Sequence, residues 1–300
     1  MASVETIEKL NAHPEWIPPR SDVRVFLGEP GAPEATKTTV EPGNVFSPGM
    51  LTFGVTWWLR FPGDGSFFAT ETAPLESLHW RYEEGCLPLI HCETQVHGLD
   101  VQHSLFQDGT AADYSEAVCA RLRLSNPGTA PASVQVFIAL RSLGPAGGPL
   151  PDLAVEANRR GFVQPTANLP LLIVDRAPDA IGCGVGDPSP RARQGEVPTE
   201  AACQDKDGWA YGLLRYDLTI PAGESWTVRL DCPQQTQRRF QHLGSCSAAP
   251  RPEAFEERSQ AHLNDWRARF AGIELDVPDP DFRNAFFAGV QHLLTAMVGD

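Results

Sequence analysis

Short segments in which apolar and polar residues alternate run through the chain from Val23 to Asp231. A period of two turns one face of a strand towards a core and the other towards solvent. Two strand–turn–strand patterns, Glu116–Arg141 and Trp209–Asp231, are the clearest, and each predicts a hairpin. The alternation as a whole predicts large antiparallel sheets packed face to face. The side chains predicted to lie inside are Val118, Leu122, Val136, Ile138, Val228 and Leu230.

Three segments depart from simple alternation. Leu51–Phe61 is apolar on both faces, as expected for a central strand that is covered on both sides. Leu87–Phe106 is long enough for two strands, and Gly98 marks the expected kink between them. Gly184–Gly208 is rich in proline and charge and has few residues to bury, so we expect a disordered loop there.

After Pro252 the apolar spacing becomes helical. One helix is predicted from a stripe of Phe255, His262, Leu263, Trp266 and Phe270. Another is predicted from Asp279 to Val298, with Asp279 as its cap and Pro280 in its first turn. The apolar stripe of this second helix comprises Phe282, Ala285, Phe286, Gly289, Val290, Leu293, Leu294 and Met297. We therefore expect a β-domain over residues 1–250, and a linker helix plus the first helix of a truncated helical domain over residues 251–300.

Composition and charge narrow the class of protein. Hydrophobic residues make up 42% of the chain, which suffices for a sizeable core, and the net charge of −14 argues against a nucleic-acid partner. Neither a signal-peptide pattern nor an apolar run of membrane-spanning length occurs, so we expect a cytoplasmic protein without a membrane partner. The seven cysteines are odd in number and irregularly spaced, which is typical of reduced thiols. A bridge between Cys183 and Cys203 stays open as an alternative.

The order of β-domain, linker helix and apolar helix resembles a known architecture. The (α/α)6-barrel glycoside hydrolases and phosphorylases, the six-hairpin glycosidases, carry an N-terminal antiparallel β-supersandwich of the galactose-mutarotase type joined to the barrel by a helical linker. Three stretches are similar to that domain. They are Arg123–Gly128 with Val134–Ile138, the strand–turn–strand of Tyr216–Leu230, and the passage from linker to barrel in Trp266–Leu294.

The resemblance implies a mainly β fold with a C-terminal helical linker, belonging to a carbohydrate-active enzyme. In this family the barrel carries the general acid and base, and this sequence does not contain it. No catalytic residue is therefore transferred to this chain, no cofactor is expected, and the carbohydrate substrate would be bound through the barrel. The alternatives are a stand-alone carbohydrate-binding or interaction module, and a mutarotase-like sugar epimerase using His97 or His103 with Glu93.

Three tryptophans and three histidines are the candidate site residues that the sequence offers. Trp57, Trp58 and Trp80 could stack on a sugar, although Trp57 and Trp58 must point to opposite faces of a strand and packing in a core is the commoner role. The histidines His91, His97 and His103 invite a metal, but their spacing along strands does not make them converge. We therefore predict no metal site. The oligomeric state stays open.

Overall fold

The structure is a computed structural model that describes residues 4–20, 23–109, 116–166, 169–234 and 254–297. Its strands form an eight-stranded and a nine-stranded sheet. Strands β1–β9 are Val25–Leu27, Thr38–Glu41, Val45–Ser47, Gly54–Arg60, Phe67–Ala69, His79–Glu83, Leu87–Val96, Leu99–Asp108 and Ala117–Ser125. Strands β10–β17 are Ala132–Arg141, Asp152–Val155, Gly161–Gln164, Leu169–Val174, Ala180–Val185, Ala202–Gln204, Ala210–Ile220 and Ser225–Pro233.

Four helices accompany the sheets in the described part of the chain. They are Val4–Ala12, Ser189–Gln194, Phe255–Phe270 (the linker helix) and Pro280–Ala296 (the C-terminal helix). Short 3-10 turns occur at Glu34–Thr36 and Leu75–Ser77. None of the helices among the described residues is both long and apolar enough to cross a membrane. The predicted domain boundary between residues 250 and 251 lies outside the described residues.

The two sheets pack face to face around one apolar core. The eight-stranded sheet has the order β1-β2-β3-β4-β10-β16-β14, with β5 also paired to β4. The nine-stranded sheet has the order β15-β11-β12-β13-β17-β9-β8-β7-β6. All six side chains predicted to lie inside are buried in the core, and the paired strands are antiparallel. The predicted fold class, an antiparallel β-sandwich followed by helices, is confirmed.

The two predicted hairpins are wrong, although their strands exist. β9 belongs to the nine-stranded sheet and β10 to the eight-stranded one, and β16 and β17 are divided in the same way. The connecting turns cross between the sheets and pack together, because the Asn126 amide donates to the carbonyl of Ile220 (2.9 Å) and Gly223 N–H donates to the carbonyl of Asn126 (2.8 Å). Alternation turns both strands towards one core in either arrangement, so it does not distinguish a hairpin from a crossover.

Two other predictions concern the segments that connect strands, namely the kink expected at Gly98 and the loop expected at Gly184–Gly208. Leu87–Phe106 is a hairpin of β7 and β8, whose turn residues His97 and Gly98 both have positive φ, 50° and 80°. This is the two-residue turn that matches strand twist. The predicted disordered loop Gly184–Gly208 is instead ordered, since it contains the helix Ser189–Gln194 and strand β15. Its backbone is held by sheet-like hydrogen bonds, including one of 2.8 Å from Cys183 N–H to the carbonyl of Glu200.

The outer face of the eight-stranded sheet is covered by the segment around Ile17 and the helix Ser189–Gln194. A buried ion cluster fastens this cover. Arg141 donates to the carboxylates of Glu71 (2.8 Å) and Asp187 (2.7 Å) and to the carbonyl of Ile17 (2.6 Å). Because the charges are paired and hydrogen-bonded, their burial is tolerated. The described residues cover the outer face of the nine-stranded sheet only in part, and that difference locates the candidate site.

Candidate functional site

An open cleft of about 670 Å³ lies on the uncovered part of the nine-stranded sheet, over strands β6 to β9; we call it the sheet cleft. Strand register places its side chains in rows, because residues paired across antiparallel strands share a face. One row crosses five strands and consists of His79, Glu93, Gln102, Arg123 and Thr227. The next row consists of Gln95, Asp100, Ser125 and Ser225. Neutral, acidic and basic polar groups therefore alternate over one open surface.

Glu93 is the central acid of the sheet cleft. Its carboxylate accepts hydrogen bonds from Arg81 (3.0 Å) and from Gln102 (3.1 Å). Partial burial acts to raise the pKa of Glu93, but the hydrogen bonds from Arg81 and Gln102 and the charge of Arg81 outweigh it, so the pKa is lowered. Glu93 is thus held as an ionised acceptor at neutral pH, which suits binding better than proton donation.

Hydrogen bonds also link the second row. Gln95 donates to Asp100 (2.7 Å), and Ser225 donates to Ser125 (2.8 Å) while accepting from Arg123 (3.2 Å). Each of these groups keeps further donor or acceptor capacity directed at solvent. A ligand rich in hydroxyl groups can match such a surface, because each hydroxyl both donates and accepts. Within the described residues, no cluster of three or more potential metal ligands occurs.

The tryptophans proposed from the sequence lie elsewhere. Trp57 and Trp58 are buried on opposite faces of β4, where Trp57 donates to a backbone carbonyl (2.9 Å) and Trp58 donates to Glu71 (3.1 Å). Trp80 is partly buried against the core and donates to Asn44 (2.7 Å). None of the three lines the sheet cleft. Their stacking on a sugar stays a prediction that this arrangement does not favour.

The histidines proposed from the sequence occupy three different environments. His91 lies on the outer sheet face, where it contacts Ser104 (2.8 Å), whereas His103 is buried inside the sandwich. His97 sits in the β7–β8 turn, stacked on a phenylalanine ring with its centroid 4.2 Å away. Neither His97 nor His103 shares the cleft with Glu93. The pairing required by the epimerase alternative is therefore not formed.

His79 is the histidine that faces Glu93, and sequence reasoning missed it. The two residues are direct partners in the β6–β7 pair, and both line the sheet cleft. Arg123 belongs both to an alternating strand and to the stretch Arg123–Gly128 that resembles the supersandwich domain, and neither pattern marks it as a site residue. The alternation does place both on the polar face of their strands, but only strand register shows that these faces adjoin.

A second surface, on the C-terminal helix, is apolar. The predicted cap is confirmed, because the Asp279 carboxylate accepts from the backbone N–H groups of Asp281 and Phe282. The side chains that the helix buries are Phe287, Gln291 and Thr295. Four large apolar side chains point outwards and form what we call the outer stripe. They are Phe282, Phe286, Leu293 and Met297, with exposed fractions of 58, 40, 71 and 57%.

The linker helix anchors this end of the molecule to the sheet. Its buried face packs Phe255, Trp266 and Phe270 on Phe106 and neighbouring residues of the nine-stranded sheet. Arg258 of the same helix, itself buried, donates to the carboxylates of Asp108 (2.8 Å) and Asp231 (2.6 Å). The C-terminal helix extends the same apolar cluster through Phe287. The outer stripe is therefore presented on a firmly attached element.

Comparisons with known proteins agree with the fold predicted by resemblance. No family model matches the chain, and no curated protein matches it in sequence. A crystal structure of a bacterial glucoamylase complexed with acarbose is similar at a TM-score of 0.56 and 9% identity, over 91% of this chain and 42% of that chain. At this identity the similarity shows a shared fold.

Two further structures overlap less closely. A GH92 α-mannosidase from Bacteroides thetaiotaomicron matches at a TM-score of 0.45 and 11% identity, over 89% of this chain and 35% of that one. A putative kojibiose phosphorylase from the human microbiome matches at 0.42 and 10%, over 91% and 34%. The chain spans about two fifths of the glucoamylase chain that it matches.

Proposed function

We propose that this chain is a non-catalytic β-sandwich domain of a carbohydrate-active enzyme, and that an α-helical catalytic domain packs against its C-terminal helix. The orientation of that helix carries the proposal. Gln291 and Thr295 face the sandwich, while the outer stripe faces solvent. The fold shared with a glucoamylase, of which this chain covers 42%, supports a glycosidase-type enzyme as the protein to which the domain belongs.

Physical chemistry favours a partner for the outer stripe. Burying a large apolar side chain is worth about 1.5–3 kcal/mol, so four such groups in water represent a substantial unused free energy of association. Their spacing along one side of the helix suits ridge-into-groove packing by another helix. The same stripe explains how a sandwich domain could support a helical barrel while contributing no catalytic group.

The association surface is tested with the double variant Phe286→Ser/Leu293→Ser. We expect the parent chain to bind a hydrophobic dye or self-associate in light scattering, and the variant to lose most of either signal while its thermal unfolding stays similar. The matched control is Leu51→Asn/Val185→Thr, which removes side chains exposed by 75 and 55% on the sandwich. Equal losses in both double variants, or a parent chain without dye binding or association, would overturn the proposal.

Absence of catalysis is tested separately. The purified 300-residue chain is assayed against a panel of α- and β-glucosides, and we expect no turnover. Turnover that persists through repurification and disappears in Glu93→Gln would assign chemistry to the sheet cleft. That result would replace the domain role with an enzymatic one.

A second candidate function is carbohydrate binding by the sheet cleft. The open row from His79 to Arg123 favours it, since it offers ionised and neutral acceptors beside guanidinium and amide donors. Titration with maltose and with cellobiose should give saturable NMR shifts confined to β6–β9. The shifts should weaken in Glu93→Gln and persist in Asp265→Asn, which alters an exposed acid of the linker helix. Shifts absent for both sugars would rule this function out for glucosides.

A further inference from the structure

Two cysteines meet where the edges of the two sheets come together. Cys183 lies on β14, the last strand of the eight-stranded sheet, and Cys203 lies on β15, the first strand of the nine-stranded sheet. The two strands are in contact at this edge. Each thiol lies against the backbone within two residues of the other cysteine, since Cys203 Sγ is 3.1 Å from the carbonyl of Gly184 and Cys183 Sγ is 3.7 Å from that of Ala201.

The two thiols differ in the way that a reactive pair requires. Cys183 is fully buried, whereas Cys203 is partly exposed. The interaction between the two thiols lowers the pKa of Cys203, and the same interaction, together with burial, raises the pKa of Cys183. An exposed sulfur with more thiolate character is the one that attacks a disulfide first. The buried thiol beside it is placed to complete the exchange.

We propose that Cys183 and Cys203 form a redox-active dithiol, which a low-molecular-weight disulfide such as oxidised glutathione converts into an intramolecular disulfide joining the edges of the two sheets. This goes beyond the domain role proposed above and does not depend on it. Both residues lie on strands held by backbone hydrogen bonds to their neighbours, Cys183 opposite Gly212 and Cys203 opposite Leu153. Their proximity is therefore built into the sandwich.

The exchange balances in two steps. The Cys203 thiolate attacks one sulfur of oxidised glutathione, which forms a mixed disulfide and releases one glutathione thiolate. Cys183 then gives its proton to that thiolate and attacks the Cys203 sulfur, which releases the second glutathione as a thiolate that takes up from solvent the proton that Cys203 had lost. Two protein thiols are oxidised by two electrons in total, and one oxidised glutathione is reduced to two glutathione thiols.

The bridge should restrain the segment between the cysteines. That segment contains the helix Ser189–Gln194, which covers the outer face of the eight-stranded sheet. A disulfide here closes a loop whose ends already touch, so it should slow local opening of that cover rather than distort the sheets. The expected consequences are a higher melting temperature and slower amide exchange in this segment after oxidation.

The experiment uses the folded full chain in buffers of increasing oxidised-to-reduced glutathione ratio, read by intact mass and peptide mapping. The parent chain should lose two hydrogens and yield a Cys183–Cys203 peptide, reversibly with dithiothreitol. Cys183→Ala should instead retain one glutathione on Cys203, and Cys203→Ser should stay reduced. Cys86→Ser, which removes a thiol elsewhere, should behave like the parent.

Folding of each variant is checked by circular dichroism before oxidation. The proposal is overturned if the parent chain stays fully reduced throughout the series, or if glutathione adds to Cys203→Ser as readily as to Cys183→Ala. It is also overturned if peptide mapping joins other cysteines in the folded parent chain. If Cys183→Ala does not fold, the reduced and oxidised parent chains still decide the outcome by mass and by amide exchange.

Discussion

The two halves of the outer face of the nine-stranded sheet are built on the same strands but differ in their exposure to solvent. In one half, Phe106 and Cys119 are buried beneath the linker helix. In the other half, four residues further along the same strands, Gln102 and Arg123 line an open cleft. The period of two is unbroken in both halves, so the difference lies in residue type alone.

One row of side chains lies at the boundary between the covered and the open half of this sheet face. His91 contacts Ser104, and Arg121 pairs with Glu256 while its guanidinium lies 4.4 Å from the centre of the Phe255 ring. Amphipathic side chains thus seal the edge of the helix against water. A single sheet face therefore provides a helix-docking surface and a solvated polar surface side by side, and the two can be tested against each other.

The largest expected effect is in the covered half. Phe106→Ala removes a fully buried ring that contacts Phe255 and His262. We expect the free energy of unfolding to fall by about 4 kcal/mol, because the substitution loses apolar burial and leaves a cavity. Chemical denaturation measures it, and Gln102→Ala in the open half is the control, expected within about 0.5 kcal/mol. Equal losses would show that the two halves do not differ in packing.

The next effect concerns charge in the covered half. Arg258→Ala leaves the carboxylates of Asp108 and Asp231 without their shared partner. Asp231 keeps a contact of 3.7 Å with Arg229, so we expect a loss of about 2 kcal/mol in the free energy of unfolding, because the substitution removes charge-assisted hydrogen bonds from a buried cluster. Arg123→Ala, on the exposed part of β9, should change stability by less than about 0.5 kcal/mol. A negligible effect of Arg258→Ala would mean that the linker helix is not anchored by this pair.

The comparison also shows what the sequence could predict. Alternation predicted the six interior side chains, and helical spacing predicted the linker helix and its buried Trp266. Alternation could not assign β9 and β10 to different sheets, because their apolar faces point into the same core in either arrangement. Assignment requires the long-range pairings, which no local pattern encodes.

The candidate site was predictable only in part. Glu93 was named only through the mutarotase-like alternative, as the partner of His97 or His103, but its actual partners, Arg81 and Gln102, come from strands paired on either side. The stripe of the C-terminal helix was predicted, and its position relative to the sandwich was not. The hydrophobic pattern would place that stripe inwards, yet Gln291 is the side chain that is fully buried.

A smaller effect, dependent on pH, is expected at the linker helix. Burial lowers the pKa of His262 to about 4. Because the unfolded chain binds the proton more tightly, His262 favours the folded state above pH ~6.5, and this contribution is lost as pH falls from about 6.5 to 4. Between pH 7 and 5, His262→Gln should therefore lose about 1–2 kcal/mol less stability than the parent chain.

The control for this pH effect lies in the open half. His79→Gln replaces an exposed histidine of the sheet cleft and is measured beside His262→Gln as a substitution of the same type outside the linker helix. Burial also lowers the pKa of His103, to about 4, and this interior histidine remains in both variants, so some pH dependence persists. Urea unfolding at several pH values gives the free energy of unfolding as a function of pH for each variant and for the parent chain. Identical curves for His262→Gln and the parent chain would contradict burial of His262 beneath the linker helix.

The smallest effect is expected at Glu93 and Arg81 in the open half. Their side chains are 39 and 50% exposed, so water screens the pair. A double-mutant cycle with Glu93→Gln and Arg81→Ala should give a coupling of about 0.2–1 kcal/mol, measured by chemical denaturation. Since the pKa of Glu93 is lowered in the folded state, this contribution is present at neutral pH and lost in acid. A coupling as large as the loss of stability expected for Arg258→Ala would mean that the Glu93–Arg81 pair mainly stabilises the fold. The sheet cleft would then not be a surface that is free to bind a ligand.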